Sequence, residues 1–164
     1  DRHHSTAELQ YVIEESERGG LLEGESGEVL RGLFTFGDLT ASAVMVPASG
    51  ATSLELGASA AAIRALVRET PHTRYLVREH GAVVGSVHIK ALLRLVDDGA
   101  ALTRRDVREV PTVRADATLD AVLATLRAHR AQLALVEDAR GHLAGLVTME
   151  DLCEEVLGTI DEGR

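Results

Sequence analysis

The chain has 164 residues, of which 45% are hydrophobic, only 2% are aromatic and none is Trp, so its core must be built from Ala, Val, Leu and Ile. Seventeen Lys and Arg against 26 Asp and Glu leave a formal net charge of −9, which disfavours nucleic acid and anionic lipid as partners, since both are bound through basic patches. The lone cysteine, Cys153, cannot close an internal disulfide and fits a reducing compartment.

No run is long enough for a transmembrane helix, and no signal peptide is present. The chain opens Asp1-Arg2-His3-His4, without Met, and is read as a piece of a longer polypeptide. Ser5 and Glu8 fit a capping box ahead of Leu9, Val12 and Ile13 at helical spacing, with Gly19-Gly20 as the stop. A second helix is predicted from Glu25 to Phe36, with Val29, Leu30, Leu33 and Phe34 on one stripe and Gly37 as C-cap. Thr40 caps a short turn into Val44-Met45-Val46-Pro47. An extended stretch follows from Thr52 to Leu56, then a helix capped by Ser59 and carrying Ile63, Leu66 and Val67. Two strands, Arg74 to Arg78 and Ala82 to His88, flank a turn at His80-Gly81, and Lys90 to Val96 is helical.

Asp97-Asp98-Gly99 opens a polar linker reaching about Arg108. Val110 to Arg114 is then extended, and Thr118 caps a helix with Leu119, Val122, Leu123 and Leu126. Gln132 to Glu137 and His142 to Thr148 are strands, and Met149 to Leu157 is a helix ending near Gly158. The second series repeats the first at an offset of about 60 residues, too long for most solenoid units. Leu76-Val77…Gly85-Ser86-Val87-His88 answers to Leu135-Val136…Gly145-Leu146-Val147-Thr148, with one residue added at the second turn. The expected fold is α/β (α+β): two β-α-β-β-α modules related by a pseudo-twofold axis and preceded by a helical lead-in. The boundaries are 1–39 for the lead-in, 40–97 for module one, 98–109 for the linker and 110–160 for module two.

That order resembles a tandem pair of CBS domains, a Bateman module. Phe34-Thr35-Phe36-Gly37-Asp38-Leu39-Thr40, followed by Val44-Met45-Val46-Pro47, is similar to the segment that joins membrane helices to the CBS pair in the CorC/HlyC/CNNM family. The closing Glu150-Asp151-Leu152-Cys153-Glu154-Glu155-Val156-Leu157-Gly158 is similar to the ending of the same family. The resemblance implies an adenine nucleotide, ATP or AMP, as ligand, with Mg²⁺ as its accompanying ion. It further implies a homodimer through the CBS modules, a membrane-spanning domain in the same polypeptide, and a place on the cytoplasmic face of the cell membrane.

Thr148 and Asp151 stand at a strand end and in the first turn of the next helix. Free backbone N–H groups there favour phosphate, a Thr hydroxyl can donate to phosphate, and a carboxylate can accept from both hydroxyls of a ribose. The simpler alternative is that Thr148 is an N-cap and Asp151 a partner of the helix dipole. In module one His88 and Ala91 occupy these two positions, and Ala91 cannot hold a diol, so one competent site at most is expected. By resemblance Arg74, at the start of a strand in module one, approaches phosphates, and His72 beside it is assigned to the same site; an exposed Arg paired with an acidic neighbour is the alternative. Val46 stands where the family often has a ligand-contacting Thr and offers apolar contact only. Met45 and Val147 are assigned to the same nucleotide site.

Glu150, Asp151, Glu154, Glu155, Asp161 and Glu162 are read as a solvated acidic helix face, and no metal site is assigned. No nucleophile–base constellation, P-loop or metalloprotease motif occurs, so catalysis is not expected. The expected function is a cytosolic regulatory CBS pair that binds an adenine nucleotide and controls a Mg²⁺/Co²⁺ transporter or efflux protein. The alternative is a ligand-free dimerisation module of the same membrane protein. A toxin activity, which the family's hemolysin label would imply, has no motif behind it.

Overall fold

The computed structural model describes residues 38–162, and the side chains of residues 38–157. The Ser5–Glu8 capping box, the helix predicted over 25–36 and the Phe34–Gly37 motif lie outside the described residues. The described residues divide into two compact units: Gly50–Val110 forms one, and residues 38–49 join residues 111–162 to form the other.

In the Gly50–Val110 unit, β2 (Ser53–Glu55) runs parallel to β3 (Arg74–Glu79), which pairs antiparallel with β4 (Ala82–His88). The crossover is α2 (Ala60–Glu69), started by Ser59, whose side chain accepts from the Ala62 N–H at 3.1 Å. α3 (Ile89–Asp98) follows β4 and ends at Gly99 in the left-handed conformation, φ 65°. The core joins Leu54, Ile63, Tyr75, Val77, Val87, Leu92 and Leu102. Leu102 lies inside the stretch read above as a polar linker. That stretch is folded: Arg104–Asp106 forms a 3₁₀ turn, and Arg108 exchanges main-chain hydrogen bonds with Ser86 of β4. A single buried leucine between two alanines and a polar stretch gives no periodicity, so the sequence pattern does not reveal its packing.

The other unit is a four-stranded sheet in the order β1 (Val46–Pro47), β7 (Leu143–Thr148), β6 (Leu133–Glu137), β5 (Thr112–Arg114). β5 is parallel to β6, and β6 is antiparallel to β7. The edge strand β1 reaches it from far upstream, pairing antiparallel with β7 so that Val46 faces Leu146 and Pro47 faces Gly145. A short helix, α1 (Ala41–Val44), precedes β1. α4 (Leu119–Ala128) and α5 (Met149–Glu162) cover the sheet, with Leu119, Val122, Leu123, Leu126, Met149, Leu152, Cys153 and Val156 in the core. Burying a Leu or Val side chain of this kind is worth about 1.5–3 kcal/mol. α5 does not end near Gly158 as expected but runs on to Glu162; one glycine costs a helix only about 1 kcal/mol and does not terminate it.

Two glycines explain the repeated Gly-hydrophobic strand motif. A Cβ on Gly145 would overlap the Val46 carbonyl oxygen and stand 2.9 Å from Met45 Sδ. A Cβ on Gly85 would overlap the Arg108 carbonyl oxygen and stand 2.6 Å from Val107 Cγ1. In each unit a neighbouring stretch of main chain lies directly on the strand, and only a residue without a side chain admits it.

Candidate nucleotide site

The end of β7 and the start of α5 are joined by a reciprocal pair of bonds. The Thr148 N–H donates to Asp151 Oδ2 at 2.9 Å, and the Asp151 N–H donates to Thr148 Oγ1 at 3.1 Å. This is a capping box with Asp in the third position, so the simpler alternative weighed above describes the arrangement in hand. It leaves chemical capacity over. Both groups act as acceptors in these bonds, so neither bond uses the hydroxyl proton of Thr148 or the Oδ1 of Asp151. A donor and an anionic acceptor therefore stand together at the N-terminal end of a 14-residue helix.

Val46, Leu146 and Thr148 share one face of this sheet, because directly opposed residues and residues two apart on a strand point the same way. Val46 is 36% exposed, and Leu146 and Thr148 are half-buried. Gly145 and Val147 take the opposite, core face, where Val147 is fully buried. The Val147 side chain is thus a core element, and any contact it makes with a ligand must run through its main chain. Met45 is half-buried, with its sulfur against Gly145. Gly145 and Leu146 were not assigned to the site from sequence, although both belong to the repeated Gly-hydrophobic motif.

Arg74 and His72 belong to the Gly50–Val110 unit. Arg74 opens β3, half-buried and opposite His88. His72 is exposed but fixed: its Nε2 is 2.9 Å from Thr52 Oγ1, its N–H donates to the Tyr75 hydroxyl at 2.9 Å, and that hydroxyl donates to the Thr70 carbonyl at 2.7 Å. The His72 and Tyr75 rings meet edge to face, with centroids 5.6 Å apart. At the position equivalent to Thr148, His88 caps α3 by accepting the Lys90 N–H on Nδ1 at 3.0 Å. Ala91 offers nothing in return, so at this position the reciprocal box is found in the second copy alone. Among the described residues no three His, Cys, Asp or Glu side chains form a group able to hold a metal ion, and no helix is long and apolar enough to cross a membrane.

The description of the CBS domain matches residues 103–158. A UPF0053 protein of Mycobacterium tuberculosis is 34% identical over 157 residues, covering 93% of this chain and 34% of that protein. The chain thus spans about a third of that relative's length. The solved CBS domain of the bacterial CNNM/CorC family Mg²⁺ transporter is 25% identical, with a TM-score of 0.72 over 95% of this chain and 98% of the other. A second structure of such a domain, in complex with ATP, has the same fold at 24% identity, with a TM-score of 0.71 over 82% of this chain and 99% of the other. The repeated fold and these matches show a CBS-domain fold, with residues 103–158 matching the CBS domain itself. The chain is similar to the CBS domains of CNNM/CorC family transporters.

Proposed function

We propose that this chain is a regulatory module that binds an adenine nucleotide, ATP or AMP, and controls a divalent-cation transport domain on the cytoplasmic face of a membrane. The observation that carries this is the Thr148–Asp151 pair: a hydroxyl donor and a carboxylate acceptor fixed at a helix N-terminus, on the sheet face that also presents Val46 and Leu146. Phosphate suits the helix start, a ribose diol suits the carboxylate, and the aliphatic face suits a base. ATP in the fold-related CNNM/CorC domain supports this ligand class. Mg²⁺ enters with the phosphates, since it is commonly held by one or two carboxylates plus substrate phosphate rather than by an all-protein cage. The part of Arg74 and His72 toward phosphate is proposed on their chemistry alone. A membrane-spanning domain in the same polypeptide and a homodimer through the CBS modules belong to the same proposal.

Calorimetric titration with ATP, AMP and adenosine tests it. Asp151→Asn keeps an acceptor for the Thr148 N–H but loses the charge that holds a diol. Affinity for ATP should fall about tenfold or more, on the order of 1.4 kcal/mol, with the melting temperature nearly unchanged. Arg74→Ala should weaken ATP more than adenosine, because charge-assisted bonds go to phosphate. Unchanged ATP affinity in a folded Asp151→Asn protein would remove the site. One observation favours a second reading, a ligand-free dimerisation module: Thr148 and Asp151 already satisfy each other. Absence of any nucleotide heat would favour it.

A further inference from the structure

Ser86, in β4, is the one polar side chain that is buried among the described residues, at 7% exposure. Its N–H donates to the Arg108 carbonyl at 2.9 Å, and its carbonyl accepts from the Arg108 N–H at 2.8 Å. Its hydroxyl has no hydrogen-bond partner among the described residues. A hydroxyl left buried and unpaired is costly, and each such group calls for a cause. The core does not supply one. Tyr75, Val77 and Val87 take the core face of this sheet, and Ser86, between Gly85 and Val87, points to the other.

Register fixes the residues that share its face. Leu76 of β3 is directly opposite Ser86, Arg108 is directly opposite it on the other side, and His88 lies two positions along β4, opposite Arg74. Directly opposed residues and residues two apart on a strand point the same way. Where the second copy has Val46, Leu146 and Leu133 on this face, the first has Arg108, Ser86 and Arg74. Arg108 is exposed, and its guanidinium meets no acceptor among the described residues. His88 Nδ1 accepts the Lys90 N–H, so in the neutral ring Nε2 carries the proton and is a donor. None of these positions holds a carboxylate, in a chain whose net charge is −9.

We propose that Ser86, His88 and Arg108 form a second ligand site, for a compact phosphate-type oxyanion without a sugar. The forked guanidinium gives charge-assisted bonds to phosphate oxygens. The His88 Nε2–H adds a further donor, and the Ser86 hydroxyl finds the acceptor it lacks. Arg74 and Lys90 raise the positive potential beside them. Ala91 cannot accept from a ribose diol, so the anion binds without a nucleoside. Every residue of this site belongs to the Gly50–Val110 unit, and the site does not depend on a nucleotide at Thr148–Asp151.

Calorimetric titration of the whole 164-residue chain with pyrophosphate, in Mg²⁺-free buffer, tests this. Pyrophosphate should bind, and Arg108→Ala should weaken it about tenfold or more. Arg108→Lys should recover only part of the loss, because a point charge replaces the fork. Ser86→Ala should weaken pyrophosphate several-fold while raising the melting temperature of the ligand-free protein, since it removes an unpaired buried hydroxyl. The pyrophosphate heat should survive both Asp151→Asn and prior saturation with AMP. No pyrophosphate binding, or binding unchanged in both Arg108→Ala and Ser86→Ala, overturns the proposal and leaves the nucleotide site untouched. Pyrophosphate lost in Asp151→Asn, or displaced by AMP, lies at the nucleotide site instead, which also overturns it. An Arg108-dependent pyrophosphate heat in a protein that binds no nucleotide would remove the Thr148–Asp151 site and keep this one.

Discussion

The two copies share a fold but not a build. Their crossover helices both begin one residue after a hydroxyl side chain, Ser59 and Thr118. The fifth helical residue is then Leu123, 1% exposed, in the second copy and Arg64, exposed, in the first. The closing helices behave alike: Cys153 is buried where Leu93, at the same place in α3, is 52% exposed. The same inequality governs chemistry, since the Thr148–Asp151 box answers to His88 and Ala91. Duplication preserved the strand order and the two close-approach glycines, while apolar depth and the hydroxyl–carboxylate pair at the closing helix stayed in one copy.

The largest test of this contrast is packing. Leu123→Ala should cost about 2–5 kcal/mol in urea denaturation, whereas Arg64→Ala at the matching place should stay within about 0.5 kcal/mol. Similar losses from both would mean that the first copy is as deeply packed as the second. A smaller effect comes from supplying the missing carboxylate. Ala91→Asp places an acid in the first turn of α3 and should stabilise the Gly50–Val110 unit by about 0.3–1 kcal/mol, read by amide exchange within that unit. It should leave ATP affinity at Thr148–Asp151 unchanged; a loss there would show that the copies are not chemically separable.

The smallest concerns the hairpins, where the second copy has one residue more. Asp138 Oδ1 accepts the N–H groups of Arg140 and His142 at 2.9 and 3.0 Å. The His142 bond leads in holding its carboxyl below the usual aspartate range, and the Arg140 bond and His142 charge act the same way against desolvation. A depressed carboxyl stabilises the fold above its unfolded pKa, and that contribution fades as pH falls through the lower folded value. Amide shifts of Arg140 and His142 should therefore titrate below the ordinary aspartate range, and the turn should loosen only in stronger acid. The His80-Gly81 turn of the first copy, which has no such carboxylate, should show no matching step. A normal Asp138 titration would remove this distinction.

Much of this was legible from local pattern. The Gly-hydrophobic strands exposed the repeat, Ser59 marked a helix start, and the Thr148-x-x-Asp151 spacing marked the helix start on which the proposed site rests. What stayed hidden was non-local or aperiodic. Val46 pairs with a residue 100 positions away, and a two-residue strand carries no periodic signal of its own. Leu102 and Arg108 looked like linker because one buried leucine and one main-chain bridge leave no stripe. The capping role of Asp151 and its fitness for a diol call for the same residue at the same spacing, so sequence alone could not separate them.

The descent of β1 from so far upstream has a practical consequence for anyone dividing the chain. A fragment cut at Gly50, where the first module's strands begin, would keep every residue of β5, β6 and β7 yet lose the strand that closes the β7 edge. Bare β7 would then offer unpaired main-chain groups beside a glycine that admits any incoming backbone, which is a template for intermolecular strand addition. Such a fragment should self-associate, and adding back the nine residues Leu39–Pro47 as a separate peptide should compete with that association.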